Sequence, residues 1–191
     1  MRSSISSAPK RALLGSLLLV AATGLVACSS PSTTSSTGGG AQEQFNALAA
    51  PQEVPALLRD ELGESVTVRR VTLSENGFSA EVRDSEKPQN LDRFSYYSGQ
   101  WDTDPISVNM SDIENLDKTT FGLGAVDWRV ITELQQKALD GLDLEDEEVT
   151  SVSVDRIAGQ SPRIYVNVNG SRGSGGLTAN ARGGDVEIRR Y

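Results

Sequence analysis

No histidine occurs among the 191 residues. That excludes a Ser-His-Asp triad, a Cys-His pair and a histidine-ligated zinc site. Cysteine occurs once, as Cys28, so no internal disulfide can form. Carboxylates could still run acid–base chemistry, but none falls in an enzyme signature, and the chain reads as a non-enzyme without a cofactor or metal. Positive charge is also in deficit. The formal charge of −8 includes three cations ahead of Cys28 and no acid there, so the chain from Cys28 onward carries −11. So acidic a surface is repelled by nucleic acid and by anionic headgroups, which removes nucleic acid as a partner. A membrane-spanning run is missing too. Residues 12–27 are apolar or small, about 16 positions against the roughly 20 a spanning helix needs.

What is present begins with that short run. Arg2, Lys10 and Arg11 precede it, and Leu13, Leu14, Leu17, Leu18, Leu19, Val20, Leu25 and Val26 fill it. A positive segment followed by an apolar one is the layout of a secretory signal, here residues 1–27. Its end, Leu25-Val26-Ala27-Cys28, resembles the lipobox of bacterial lipoproteins. The resemblance implies cleavage before Cys28 and a diacylglyceryl group on its thiol. It implies a protein lipid-anchored on the extracytoplasmic face of the bacterial cell membrane. Two acyl chains, at about 0.8 kcal/mol per buried CH₂, anchor a protein where one would not. Ser29 to Gly40 reads SSPSTTSSTGGG, with nothing large enough to bury. Residues 28–50 are accordingly expected to form a flexible tether, with a helix beginning as early as Gln42.

Pattern starts near Pro51. Val54, Leu57, Leu58 and Leu62 mark one face of a helix that Gly63 stops. Val66 to Leu73 is β-branched, Asn76-Gly77 suggests a hairpin, and Phe78 to Arg83 alternates as the return strand. Strands are expected over Arg93 to Tyr97 and Trp101 to Met110, the latter interrupted or at an edge because of Pro105. The order then recurs. Asp127 is placed where it could cap a helix bearing Trp128, Ile131, Leu134, Ala138 and Leu142, and Val149 to Ile157, Ile164 to Val168, Leu177 to Arg182 and Asp185 to Tyr191 read as strands. The expected fold class is α+β: two tandem repeats, 51–118 and 119–191, each a helix followed by a four-strand antiparallel meander. The layout resembles the tandem helix-plus-sheet units of secreted β-lactamase-inhibitor proteins and PepSY-like envelope modules, as an analogy of architecture.

Three clusters are candidates for chemistry. Asp140 to Glu148 holds six acids in nine positions but lacks a calcium-loop register, and it reads as a solvated turn. Asn169 to Gly176, NGSRGSGG, reads as a long mobile hairpin loop; its backbone N–H groups could cradle an anion beside Arg172, but no phosphate-loop helix follows. Phe94, Tyr96, Tyr97 and Trp101 concentrate four of ten aromatics in one hairpin. Core packing against the helix is the first reading of this cluster; the other is a partner face, with Tyr97 and Trp101 as the candidate binding surface on the sheet face away from the helices. The functional expectation is a noncatalytic module that binds an envelope protein or cell-wall component. The alternative is an envelope carrier holding a small apolar ligand between helix and sheet.

Overall fold

The computed structural model describes residues 44–191. The lipobox-like stretch and Cys28 lie outside the described residues. In chain order the elements are α1 (Val54–Leu62), β1 (Thr67–Ser74), β2 (Gly77–Arg83), β3 (Leu91–Tyr97), β4 (Gln100–Ile106), α2 (Met110–Thr119), β5 (Phe121–Gly122), α3 (Val130–Leu142), β6 (Glu148–Asp155), β7 (Arg163–Gly170), β8 (Gly173–Asn180) and β9 (Glu187–Arg190). A mixed α/β architecture results, dominated by one antiparallel sheet in the order β4-β3-β2-β1-β6-β7-β8-β9, with β5 also pairing β1.

The sheet is continuous because β1 and β6 pair directly, from Arg70 opposite Asp155 to Leu73 opposite Val152. β5 takes up the start of β1, which β6 does not reach, at Thr67 and Val68. Each half therefore adds strands to one sheet instead of closing a sheet of its own. Both central hairpins carry a register shift near one end, between Val68 and Arg70 in β1 and between Val149 and Ser151 in β6.

One face of the sheet carries the core. Period-2 alternation, offset once in β1 by the register shift after Val68, turns Val68, Val71, Leu73, Phe78, Ala80, Val82, Val152, Val154, Ile164, Val166 and Val168 inward, all buried. α1 contributes Val54 and Leu58; α3 contributes Ile131, Leu134, Ala138 and Leu142. Gln135 Nε2 donates to the Leu48 carbonyl at 3.0 Å, tying α3 to the turn ahead of α1. Trp128 buries its ring and donates from Nε1 to the Leu123 carbonyl at 2.9 Å.

Several expectations are corrected. Trp101 to Met110 is not one strand: β4 ends at Ile106, and Met110 opens α2. Asn109 caps that helix, its side chain accepting from Asp112 N at 3.0 Å. The Asn76-Gly77 turn is shifted by one residue, because Ser74 pairs Gly77 and leaves Glu75 and Asn76 at the tip. Gly77 instead opens β2 at φ +136°, where a Cβ would collide with the Tyr96 carbonyl.

Asn169 to Gly176 is not a long loop. β7 pairs β8 through to Gly170 opposite Gly173, with only Ser171 and Arg172 between them. The glycines answer close packing: a Cβ on Gly175 would stand 2.5 Å from Leu142 Cδ2 and 2.7 Å from the Arg189 carbonyl oxygen. Asp140 to Glu148 is the C-terminal end of α3, the turn after it and the first residue of β6. Asp143 adopts a left-handed conformation at the helix end, Glu147 accepts from Leu144 N, and Glu145 pairs with Arg172 at 3.3 Å. Among the described residues no group of three potential ligands could hold a metal.

Candidate functional site: the open face of the sheet

Helices α1 and α3 cover one face. On the other, α2 roofs only a corner. Arg83 pairs with Asp117 of α2, and Leu91, the cross-strand partner of Arg83, is buried outside the main core, as is Leu116. Beyond that corner the register aligns outward side chains into transverse rows.

The first row alternates in charge. Asp104, Arg93, Glu81, Arg70, Asp155 and Arg163 lie opposite one another in turn across β4, β3, β2, β1, β6 and β7. Arg70 reaches Asp155 at 3.1 Å, and Arg69, at the register shift, reaches Glu81 at 2.6 Å. Opposite charges on directly facing residues favour this register over a slipped one. With Arg69 counted, four arginines stand against three carboxylates, so the charges of the row nearly cancel.

The second row carries hydroxyls. Ser95, Ser79, Thr72, Ser153, Tyr165 and Thr178 are successive partners across β3, β2, β1, β6, β7 and β8. Asp102 and Glu187 close it at the two edge strands. All six hydroxyl residues are half-buried. With strands about 4.8 Å apart, the row spans about 24 Å. Its middle opens into a shallow cleft of about 350 Å³ lined by Arg70, Thr72, Ser151, Ser153, Asp155, Tyr165 and Asn167. Asn167 Nδ2 donates to Ser151 Oγ at 3.1 Å, holding the amide across the cleft. Partial burial, with the Asp155 carboxylate nearby, raises the Tyr165 phenol above its ordinary range.

Tyr97 and Trp101 are not brought together. Tyr97 is 43% exposed and belongs to the open face, next to Gly77 and Gln100. Trp101 lies opposite Tyr96 and packs on the helix side, its ring 5.6 Å from Phe78 and 4.9 Å from Tyr96. The turn explains the split. Ser98 and Gly99 form a two-residue hairpin with positive φ at both positions, so Tyr97 faces Gln100 and Trp101 falls on the other side. Phe45 adds edge contacts to Phe78 and Tyr96, so most of this aromatic cluster belongs to the core. No local sequence pattern marks the hydroxyl row, which exists only once six strands from both halves are in register.

The fold is similar to that of a crystallised candidate lipoprotein from Clostridium difficile 630, with a TM-score of 0.52 at 10% identity, covering 74% of this chain and 92% of that one. No protein-family model matches the chain, and no curated protein matches it. No helix among the described residues is long and apolar enough to cross a membrane.

Proposed function

We propose that this is a lipid-anchored extracytoplasmic lipoprotein whose sheet acts as a noncatalytic binding module for an envelope component. The anchor reading rests on Leu25-Val26-Ala27-Cys28 and its apolar run, and a fold-mate that is itself a candidate lipoprotein supports it. The binding reading rests on one observation: an uncovered sheet face whose polar groups are arranged in rows across strands from both halves of the chain. A carrier of apolar ligands has less support. The cleft beside α1, lined by Leu62, Val66, Val82 and Phe94 together with Arg83, Asp84 and Asp92, holds about 190 Å³. Ligand pockets usually start near 300 Å³.

An internal duplication fits the same reading. In both halves a helix precedes four meandering strands, and the register shift recurs in the first hairpin of each. Joined at β1 and β6, two such units produce a face twice as wide as either alone.

Two measurements test the proposal. Cys28→Ser should move the protein out of the membrane fraction; retention there through the apolar run overturns the anchor. Photo-crosslinking side chains placed at Ser79 and Ser153 should capture an envelope component in intact cells, and one placed at Glu133 on α3 should not. Equal capture from both sides overturns the binding face.

A further inference from the structure

The hydroxyl row narrows the partner. We propose that the open face binds a neutral, extended polysaccharide chain laid across the strands along Ser95, Ser79, Thr72, Ser153, Tyr165 and Thr178. This rests on the binding-module reading above and names the class of its ligand.

Charge makes the first selection. The neighbouring row sets four arginines, Arg69 included, against three carboxylates, so its charges nearly cancel and it offers little net field to an ionic polymer. The chain from Cys28 onward carries −11, which disfavours polyanions in general. The hydroxyl row itself holds no charged group between Asp102 and Glu187.

Chemistry makes the second. Protein partners are held by buried aromatic and arginine anchors at the centre of a contact. At the centre of this face Thr72 and Ser153 stand beside Arg70, whose charge is already met by Asp155 at 3.1 Å, and Tyr165 is the one aromatic in the row. A hydroxyl both donates and accepts, and so does every sugar hydroxyl, so the two match in either orientation. Tyr165 and the Asn167 amide line the cleft, and the Asp102 carboxylate at one end of the row can accept from a further sugar hydroxyl.

Spacing makes the third. One hydroxyl falls about every 4.8 Å across the sheet, close to the length of one sugar ring in an extended β-linked chain. A coiled α-linked chain cannot keep that step. Each contact alone is weak, so affinity should come from several sugars engaged together.

The test is isothermal titration calorimetry of the full chain in detergent with chitohexaose, a neutral β-linked hexasaccharide. N-acetylglucosamine and maltohexaose serve as comparisons. Chitohexaose should bind about tenfold or more tightly than the single sugar, and maltohexaose should bind no better than the single sugar. Thr72→Val removes a hydroxyl without changing shape, and Ser153→Lys places a charge in the cleft. Each should weaken chitohexaose binding by about fivefold or more with the melting temperature unchanged. Thr72→Val keeps the test decisive if Ser153→Lys folds poorly.

Absence of chitohexaose binding, equal binding of maltohexaose, or binding indifferent to both substitutions overturns the inference. If chitohexaose fails while crosslinks from Ser79 and Ser153 capture a protein, the glycan is wrong and the binding face stands. If both fail, the module reading falls with it.

Discussion

Trp101→Ala measures which face of the sheet the indole serves. A fully buried large aromatic costs about 3–5 kcal/mol when cut to alanine. Trp101 is half-buried on edge strand β4, so about half of that transfer and cavity cost applies. Its edge contact to Phe78 and tilted contact to Tyr96 add a share of the roughly 0.5–1.5 kcal/mol typical of aromatic pairs. The expected loss is about 2–3 kcal/mol, a drop of about 5–10 °C in melting temperature for a body of this size. Urea unfolding should show the midpoint falling at unchanged slope. Tyr97→Ala, on the open face, should stay within about 0.5 kcal/mol. If the two substitutions cost the same small amount, Trp101 is not part of the core and the assignment of faces is wrong.

Gly175→Ala should cost about 1–3 kcal/mol by overpacking against Leu142 and the Arg189 carbonyl. Adding Leu142→Ala should not restore stability, because the carbonyl cannot move aside; a neutral single variant in thermal unfolding would refute the close approach. Tyr165 supplies a pH dependence. Its phenol is raised above 10.0 by partial burial and by Asp155, so on alkalinisation the unfolded chain releases this proton first. The Tyr165 contribution is complete below pH 10.0 and is lost as pH rises from 10.0 through the raised folded value. Tyr165→Phe should therefore flatten the alkaline fall in stability, and an unchanged slope would show the phenol to be unshielded.

Much of the fold could be read from apolar spacing. Val54 and Leu58 in α1, and Ile131, Leu134, Ala138 and Leu142 in α3, are buried where helical periodicity puts them. Alternation likewise puts Val152 and Val154 of β6 inward, where they are buried, and marks β2 as a strand with one face in the core. What resisted reading were the features set by neighbours distant in sequence. The Asn169 to Gly176 glycines have loop composition, yet their strand is fixed by α3 and β9 pressing on it. Helix α2 had a local signal, Asn109 three residues before Asp112 with Ile113 and Leu116 following. An expected strand running on to Met110 overlaps that signal, whereas β4 ends at Ile106 and Asn109 caps the helix. Trp101 was legible in principle: the two-residue Ser98-Gly99 turn sets it opposite Tyr96 by parity alone. No such shortcut reaches the hydroxyl row, which needs the β1–β6 pairing.

That pairing also accounts for which surface is left to work with. Two separate four-strand sheets would expose β1 and β6 as additional edges, each a template for unwanted pairing. Joined, they bury those edges in one another and leave β4 and β9 as the ends. Both ends are blunted. β4 carries Asp102, Asp104 and Pro105, and β9 is four residues long with Glu187, Arg189 and Arg190. Helices α1 and α3 occupy one face, and α2 shields the Leu91 corner of the other. Among the described residues, the broad sheet surface still open is the one on which six strands present a hydroxyl each. Because that row crosses the seam, a glycan lying on it would bridge both halves of the chain, and loosening β1 from β6 would break the site before it broke either hairpin.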